Sequence, residues 1–475
     1  MIEIRIDRPK FEYDIHALVK SFYPKEEVLV SEKVTAPLFE VNYGNDRITF
    51  KELNGAFEDS ECIYEDIERP EEKNAVKRLI YRSLREYTGR ELPWGDLSGI
   101  RPTRIPMKLL SEGLSDDEIL RHMKEVYLIS DEKGLLSIDI AKRERRVLEG
   151  IDCEKGYSIY IGIPFCPTTC LYCSFTSNPI SKYKDRVEKY LECIGKELEF
   201  TANARRDKRL ETIYIGGGTP TTLSAKDLEV LFSLIEKYYD VTRLSEFTVE
   251  AGRADSITRD KLKVMKAHHV TRISVNPQTM NDETLKLIGR RHSTEDVIRA
   301  FHEARDEGFD NINMDIILGL PGEGVKEVMH TMEEIKKLSP DSLTVHSLAI
   351  KRASRMHEWI EENGYETMIN TDETMKIAEN AAAEMGLLPY YLYRQKDMAG
   401  NYENTGYARI GCFGIYNILI MEELQPIIAL GAGSVSKVIS KDGRMHRDDN
   451  IKDVDLYIEK TDEMIERKRA LFSLE

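Results

Sequence analysis

Apolar and polar residues alternate along the first part of the chain, and this pattern predicts a small domain of strands and helices. Four short segments alternate as half-buried strands do, and we expect them to pair as antiparallel strands. Later segments carry apolar residues at helical spacing. The predicted strands are Ile2 to Ile6, Glu27 to Val34, Leu38 to Tyr43 and Arg47 to Phe50, and the predicted helices are Glu71 to Tyr87, Ile105 to Leu110 and Asp116 to Val126.

From Gly156 the pattern changes to short apolar runs that alternate with long helical segments. This alternation predicts parallel strands joined by right-handed helical crossovers. Six repeats favour a partial (β/α)6 barrel over a complete eight-fold barrel. The predicted strands are Tyr157 to Ile163, Thr212 to Ile215, Glu246 to Glu250, Thr271 to Val275, Ile312 to Leu318 and Ser342 to His346, and the predicted helices are Lys182 to Ala202, Ala225 to Tyr239, Arg259 to Ala267, Glu295 to Gly308 and Val325 to Leu338.

The repeat ends after Lys351, and the remaining pattern predicts a smaller α+β cap. The cap comprises a helix from Thr371 to Met385, apolar strands near Ile415 to Met421, and a charged helix after Val454. The sequence therefore predicts an α/β protein with three parts. These are an N-terminal α+β domain (residues 1–152), a partial barrel (153–355) and a C-terminal α+β cap (356–475).

Composition narrows the classes of protein to which the chain can belong. Its 475 residues include 68 Lys and Arg against 84 Asp and Glu, a formal net charge of −16. This charge argues against a protein that coats nucleic acid. No apolar run approaches the roughly 18 residues of a membrane span, and the first residues lack the pattern of a signal peptide. We therefore expect a cytoplasmic protein without a membrane span, acting as a monomer.

Three of the seven cysteines lie in one short motif, Cys166-Pro-Thr-Thr-Cys170-Leu-Tyr-Cys173, directly after the first predicted barrel strand. A sparse and odd set of cysteines does not fit a secreted disulfide framework. Three thiolates on one loop can hold three irons of a 4Fe-4S cluster and leave the fourth iron open for a small molecule. A structural zinc knuckle is the alternative, but zinc needs a further ligand and no matching Cys pair or His lies nearby in the sequence.

Polar residues also follow the next predicted strands, at the ends where a barrel has its functional site. Gly216-Gly217-Gly218-Thr219-Pro220 follows the second strand, where glycines let the backbone approach a ligand. By itself this segment predicts only a tight turn. Glu250 ends the third strand, Gln278 lies just beyond the fourth, and Asp315 is an acid within the apolar fifth. The alternatives are surface positions for Glu250 and Gln278 and a structural ion pair with an arginine for Asp315.

Further motifs complete the pattern: Tyr160-Ile-Gly-Ile-Pro-Phe-Cys166, Arg290 within Ile288-Gly-Arg-Arg-His292, Asp315-Ile-Ile-Leu-Gly-Leu-Pro321, and Tyr390-Tyr-Leu-Tyr-Arg-Gln-Lys-Asp-Met-Ala-Gly400. Together with the cysteine motif and the six repeats, they resemble the radical S-adenosylmethionine (SAM) superfamily. Within it, the chain is similar over nearly its whole length to the oxygen-independent coproporphyrinogen III dehydrogenases (oxidases), in their HemZ-type branch.

The resemblance implies a 4Fe-4S cluster and two SAM molecules as cofactors. The cluster would be held by Cys166, Cys170 and Cys173. The SAM at the open iron would be contacted by Tyr160, Tyr172, Gly217 and Glu250, and the second SAM by Gly218, Thr219, Gln278, Arg290, Asp315 and the backbone near Ala349.

The family reaction decarboxylates two propionates of coproporphyrinogen III to vinyl groups, which gives protoporphyrinogen IX. A 5'-deoxyadenosyl radical takes hydrogen from the propionate, so no side-chain general base is expected. The resemblance implies a tetrapyrrole substrate and an electron donor such as flavodoxin or ferredoxin. Carboxylates on the substrate require positive charge. The candidates are Arg394 and Lys396 in the cap and Arg101 and Arg104 in a loop whose simpler interpretation is a connector.

The same family offers an alternative function. It includes heme chaperones, which bind heme without making vinyl groups, and proteins that modify or degrade heme by opening its ring. The HNxxYW-type segment of the chaperones is not evident in this sequence. The chain also departs from many relatives at Gly162, where they carry His, and at Ser174, where the best-known branch continues with Phe or Gly and a further Cys.

Overall fold

The structure, a computed structural model, describes residues 1–64, 66–351, 354–364, 367–395 and 402–475. The chain forms two compact units. The N-terminal unit comprises Met1–Lys142 and Leu392–Glu403, and the barrel unit comprises Arg143–Tyr391 and Asn404–Glu475. The three-part division at residues 152 and 355 remains a proposal about independently folding domains. No helix in the described ranges is long and apolar enough to cross a membrane.

A five-stranded sheet forms the centre of the N-terminal unit, in the order β2-β1-β3-β4-β5. The prediction that all its strands are antiparallel is wrong, because β1 is parallel to both β2 and β3. The helix α1, which the sequence analysis missed, crosses over between β1 and β2 and so allows them to run in the same direction. The elements are β1 Ile2–Ile6, α1 Glu12–Phe22, β2 Val28–Ser31, β3 Phe39–Tyr43, β4 Arg47–Glu52 and β5 Glu58–Cys62.

Four helices follow, and three of them were predicted. The fourth, α5, was missed because Gly134 and the charged run from Lys142 to Arg146 interrupt its apolar spacing. α4 begins at Ser115, whose hydroxyl accepts from the backbone of Glu118 in a capping box. The helices are α2 Arg69–Thr88, α3 Arg104–Ser111, α4 Asp116–Tyr127 and α5 Asp131–Leu148, and α5 extends past the end of the N-terminal unit.

Six parallel strands form the partial (β/α)6 barrel that the sequence predicts. β6, β9, β10, β11, β12 and β13 are hydrogen-bonded neighbours in that order, each parallel to the next. Their side chains are almost all buried, as expected for parallel strands that are covered on both faces. The strands are β6 Gly156–Ile163, the short pair β7 Phe165–Cys166 and β8 Asn178–Pro179, β9 Arg209–Gly217, β10 Glu246–Gly252, β11 Arg272–Val275, β12 Ile312–Leu318 and β13 Ser342–Ser347.

The crossover helices occupy the predicted positions, with an additional short helix, α9. Capping boxes at Ser224 and Ser293 fix where α7 and α10 begin. Because each crossover returns the chain to the same end of the sheet, all six parallel strands have their carboxyl ends on one side. The helices are α6 Val187–Ala204, α7 Ala225–Tyr238, α8 Arg259–Ala267, α9 Asp282–Leu287, α10 Thr294–Asp306 and α11 Val325–Leu338.

The C-terminal segment extends the barrel sheet at both edges. β15 pairs antiparallel with β13 at one edge, and β16 pairs parallel with β6 at the other. The whole sheet has the order β14-β15-β13-β12-β11-β10-β9-β6-β16-β17-β18. Its further elements are α12 Met356–Asn363, α13 Asp372–Glu384, β14 Leu388–Tyr393, β15 Asn404–Ala408, α14 Ile415–Glu422, β16 Ile427–Leu430, β17 Val435–Ile439, β18 Met445–Asp449, α15 Val454–Glu459 and α16 Thr461–Phe472.

The predicted strand near Ile415 to Met421 is wrong, because these residues form α14. The carboxylate of Glu246, on β10, accepts hydrogen bonds from the backbone N–H groups of Ile415 at 2.6 Å and Tyr416 at 3.3 Å. These contacts satisfy amide groups that the first turn of a helix leaves without partners. A short apolar run fits a buried helix as well as a strand, and here a distant acid decides between them.

A buried charged network fixes the end of the chain on the barrel unit. Lys468, on α16, donates to Glu197 of α6 at 2.6 Å, and both side chains are almost fully buried. Asn450 donates to the same carboxylate at 3.0 Å, the backbone N–H of Gly431 donates at 2.8 Å, and the hydroxyl of Tyr457 also donates to it. The Glu197 carboxylate therefore accepts hydrogen bonds from four residues spread over the last 45 positions of the chain, which fixes this part of the chain on α6.

Candidate functional site

The three motif cysteines lie on one loop at the carboxyl end of β6. Cys166 and Cys170 are buried, and Cys173 is partly exposed. The pKa of Cys166 is raised to about 11, mainly by burial and in smaller part by the neighbouring thiols of Cys173 and Cys170. Burial also raises the pKa of Cys173. Cys166 and Cys173 therefore favour the protonated thiol until a metal displaces the proton.

The donor set of this loop consists of three cysteine thiols, which are the usual protein ligands of an iron–sulfur cluster. Among the described residues, no three or more Cys, His, Asp and Glu side chains are grouped as ligands of one ion. In a 4Fe-4S cluster each thiolate binds its own iron, so the sulfurs stay apart from one another. Three thiols on one short loop are a donor set that can hold such a cluster.

The glycine segment after β9 lies directly against the cysteine loop. The N–H of Gly218 donates to Ile163 O and that of Thr219 to Phe165 O, both at 2.7 Å. Thr219 Oγ1 is 3.5 Å from Cys166 Sγ. A Cβ atom at Gly218 would lie 2.6 Å from Phe165 O and 2.9 Å from Cys166 Sγ, closer than real Cβ atoms approach. This position therefore requires glycine because the two backbones touch.

Glu250 lies at the end of β10, beside a stack of tyrosines. The hydroxyl of Tyr214 donates to Glu250 Oε1 at 2.5 Å. Burial raises the pKa of Glu250 to about 7, although the Tyr214 hydrogen bond opposes this shift. The ring of Tyr214 stacks on Tyr160 with centroids 6.1 Å apart and on Tyr416 with centroids 4.5 Å apart. Glu250, which lies beside these tyrosine rings, can therefore gain or lose its proton near neutral pH.

Gln278 connects the region beyond β11 to β12 through its backbone. Its N–H donates to Asp315 O and its carbonyl accepts from Ile317 N, both at 2.9 Å. It has a φ of 69°, in the left-handed region that a side chain seldom adopts. Such strain is found most often at functional sites, where the surrounding structure enforces it.

The carboxylate of Asp315 contacts Asn313 and His346. No ion pair between Asp315 and an arginine is seen among the residues that the structure describes. Asn313 Nδ2 donates to Asp315 Oδ1 at 2.6 Å, and His346 Nε2 is 3.9 Å from Oδ2. Burial would raise the pKa of Asp315, but the contacts with His346 and Asn313 outweigh it and lower the pKa. The acid is thus ionised, and the alternative of a structural pair with arginine finds no support in these contacts.

Arg290 and Tyr172 are brought together, and buried polar atoms without partners in the described part of the chain lie on Arg290 itself and on Ser274 and Asn276 at the end of β11. Arg290 donates to Asn276 O at 2.5 Å and to the Tyr172 hydroxyl at 3.2 Å. Arg290 Nε, Asn276 Oδ1 and Ser274 Oγ are buried without a hydrogen-bond partner in the described ranges. Buried polar atoms normally have partners, so this end of the barrel fits a polar ligand. Ala349, also predicted here, lies one residue after Leu348, whose N–H donates to Leu318 O at 2.9 Å.

Arg253 was missed by the sequence analysis. It is buried on the loop after β10, and its Nη1 donates to Thr168 O at 3.0 Å and to Thr168 Oγ1 at 2.7 Å. The same nitrogen is 4.0 Å from Cys170 Sγ. The other side of the guanidinium forms two hydrogen bonds with Asp255, at 2.6 and 3.0 Å. Arg253 therefore fixes the cysteine loop, and its position three residues after Glu250 at a strand end was the available signal.

The predicted substrate contacts are in the N-terminal unit, apart from Lys396, which lies outside the described residues. The structure brings Arg394 to the loop of Arg101 and Arg104, where its N–H donates to Ile100 O at 2.8 Å. Its buried guanidinium donates to Leu97 O and lies over the ring of Trp94, 5.7 Å from the centroid. These three arginines are therefore neighbours in the fold, and their contact with a substrate stays a prediction.

The barrel and its cysteine loop define a radical SAM protein, and residues 160–335 match the model of the Radical SAM superfamily. A solved structure of coproporphyrinogen III oxidase (HemN) from Escherichia coli has a similar fold. The two structures superpose with a TM-score of 0.52 and 20% sequence identity. The superposed region covers 68% of this chain and 72% of the HemN chain.

Sequence comparison narrows the class to a family. The chain is 42% identical to the oxygen-independent coproporphyrinogen-III oxidase-like protein HemZ of Bacillus subtilis over 84% of this chain and 82% of that protein. It is also 38% identical to the heme chaperone HemW of Bacillus subtilis, over 41% of this chain and 51% of that protein. The chain belongs to the oxygen-independent coproporphyrinogen III oxidase family of radical SAM proteins, in its HemZ-type branch. Membership implies a 4Fe-4S cluster and SAM as cofactors, and it supports an enzyme.

Proposed function

We propose that this protein oxidatively decarboxylates two propionates of coproporphyrinogen III to vinyl groups and so produces protoporphyrinogen IX. The observation that carries the proposal is the convergence, at one end of the barrel, of the cysteine loop with Glu250, Arg290 and Asp315. Similarity to the coproporphyrinogen-III oxidase-like protein supports the choice of reaction.

In this proposal, Cys166, Cys170 and Cys173 hold the cluster, and Glu250 binds the SAM at the open iron. A bound and reduced cluster would supply the electron that cleaves SAM, and the resulting 5'-deoxyadenosyl radical would take a hydrogen atom from the propionate. Carbon dioxide would then leave, and one electron would pass to an acceptor. Glu250 contributes a carboxylate for the amino group of this SAM, and Gly217 lets the backbone come close to it, whereas Gly218 is assigned to the second SAM. Arg253 holds the loop in place while the cofactor is bound.

We further propose a second SAM pocket formed by Gln278, Arg290 and Asp315. Arg290 is buried with its Nε unused, and Asp315 is ionised, so the pocket offers one positive and one negative group to a zwitterionic ligand. Charge-assisted hydrogen bonds to these groups would each contribute about 1.5 to 3 kcal/mol. Tyr160, Tyr172, Gly217, Thr219 and the backbone near Ala349 complete the proposed SAM contacts.

The substrate's carboxylates are proposed to bind the neighbouring arginines of the N-terminal unit, Arg101, Arg104 and Arg394, together with Lys396. A bidentate guanidinium matches a carboxylate better than a point charge does. Electrons would come from a donor such as flavodoxin or ferredoxin.

A heme-binding chaperone is the second candidate, and one observation favours it. The chain is 38% identical to the heme chaperone HemW over 41% of its length. A protein of this kind would retain heme in a stoichiometric complex and would form no vinyl groups.

An anaerobic incubation tests the proposal directly. Reconstituted protein is mixed with SAM, dithionite and coproporphyrinogen III, and the porphyrins and carbon dioxide are measured. We expect two molecules of carbon dioxide for each protoporphyrinogen formed. SAM cleavage without conversion of coproporphyrinogen, accompanied by tight binding of heme, would overturn the decarboxylase and support the chaperone.

Cysteine variants provide the matched control. Cys166→Ala, Cys170→Ala and Cys173→Ala should each lose the roughly four irons of the cluster and all activity. Cys412→Ala and Cys193→Ala should keep both. The N–H of Cys412 donates to Arg409 O, and the N–H of Arg409 donates to Asp341 O at the amino end of β13, opposite the end that carries the cysteine loop. Cys193 Sγ contacts Ile458 O at 3.8 Å. Iron loss in Cys412→Ala equal to that in Cys170→Ala would show that the three-cysteine assignment is wrong.

A further inference from the structure

A cavity of about 610 Å³ opens beside the cysteine loop of the barrel unit. Thr168 and Thr169, which lie between Cys166 and Cys170, form part of its lining. The opposite side is formed by α9, by the connection from α9 to α10, and by Arg355. The cavity therefore gives access from the surface to the backbone of the proposed cluster loop.

Hydrogen bonds connect this lining rigidly to the loop. Arg355 donates to Thr169 O at 3.0 Å, and Thr168 Oγ1 donates to Gly289 O at 3.0 Å. The N–H of Leu171, next to Cys170, donates to Ile288 O at 3.0 Å. A molecule that covers the cavity would thus rest on atoms within one or two residues of a proposed cluster ligand.

The rim of the cavity is basic, although the chain as a whole carries a net charge of −16. Lys286, Arg291 and Arg355 are exposed there, and Asp282 is the one acid among the described residues that line it. Arg291 makes no hydrogen bond or ion pair in the described ranges. Lys286 Nζ forms an ion pair with the exposed Glu283 at 2.9 Å. Exposed ion pairs are weak, so Lys286 can still bind a negative group on another molecule.

We propose that this basic rim docks an acidic one-electron carrier protein that reduces the cluster. The inference rests on the proposed function, because that reaction consumes an electron that no side chain of this protein supplies. One electron leaves the flavin or iron–sulfur centre of the reduced carrier and enters the cluster, and no covalent bond forms or breaks. Complementary charge favours an acidic carrier over a neutral one and accelerates its association.

The test measures binding of purified oxidised flavodoxin, chosen as an acidic carrier, to the reconstituted protein. Arg291→Glu and Lys286→Glu should each raise the dissociation constant about three-fold to ten-fold at low salt, and the effect should shrink as the salt concentration rises. Lys226→Glu and Lys263→Glu, exposed positions on α7 and α8, are the matched controls and should change it little. If the control variants raised the dissociation constant as much as the rim variants, the proposal would be overturned.

A kinetic measurement separates docking from damage to the cluster. Reduction of the cluster by reduced flavodoxin should slow in Arg291→Glu, whereas reduction by dithionite, which needs no docking surface, should keep the wild-type rate. Both readouts exist even if coproporphyrinogen is not converted, so failure of the proposed function leaves this test intact. Displacement of flavodoxin by inorganic phosphate, but not by chloride at the same ionic strength, would instead identify a site for small anions and overturn the docking proposal.

Discussion

Glu250 is the residue of the site whose charge should respond most to pH. Burial raises its pKa to about 7, so its carboxylate gains a proton as the pH falls below neutrality. If Glu250 binds the amino group of SAM, affinity for SAM should be full above about pH 8 and should fall through pH 7. Equilibrium dialysis of the reconstituted protein against SAM at a series of pH values measures this dependence.

Tyr214→Phe sharpens the test. The Tyr214 hydroxyl donates to Glu250 and favours the charged carboxylate, so its removal should raise the pKa and move the midpoint of SAM binding to higher pH. Glu250→Gln should bind weakly at every pH, without a midpoint. A wild-type affinity that does not change between about pH 6 and pH 8.5 would contradict the role assigned to Glu250.

The sequence locates a residue of the site when that residue stands at the end of a predicted strand. Glu250 and Gln278 are found in this way, because parallel strands have their carboxyl ends on one side. Tyr416 could not be found, since it reaches Tyr214 from a segment far along the chain. The contact of Arg253 with Thr168 likewise depends on tertiary structure.

Among the elements, the glycine segment after β9 permits a direct test of close packing. Gly218→Ala places a Cβ atom 2.6 Å from Phe165 O and 2.9 Å from Cys166 Sγ, so the cysteine loop must move. We expect the variant to lose iron to a chelator several times faster than the wild type. Gly162→Ala is the control, because its Cβ atom would meet its nearest neighbours at 3.5 Å, an ordinary contact distance. Equal rates of iron loss in both variants would show that the close approach does not support the cluster.

The same structural logic explains which elements the sequence predicts. The six barrel strands are recognisable because buried parallel strands are continuously apolar. Strand direction in the N-terminal unit was missed because it depends on whether the chain crosses over, and α1 was not recognised. α14 was assigned as a strand because the capping carboxylate of Glu246 is distant in sequence.

At the scale of the whole barrel unit, the buried Lys468–Glu197 pair should be costly to break. Lys468→Met leaves the Glu197 carboxylate buried without its cation, which should lower the free energy of unfolding by about 3 to 5 kcal/mol. Lys460→Met removes an exposed pair with Glu463 at 3.8 Å and should cost less than about 1 kcal/mol. Urea denaturation followed by circular dichroism measures both.

A double variant distinguishes the pair from simple packing. Glu197→Gln combined with Lys468→Met should recover part of the lost stability, because no charge then remains buried. Additive losses in the double variant would mean that the two side chains act independently of each other.

The arrangement of β15 and β16 has a consequence for biosynthesis. These strands cover opposite edges of the six-stranded parallel sheet, and both come from the last part of the chain. On the ribosome, a chain that has emerged only as far as residue 400 would expose both edges, which are templates for pairing with other nascent chains. The sheet can close only once residue 430 has left the exit tunnel, so both edges should need protection by chaperones until then.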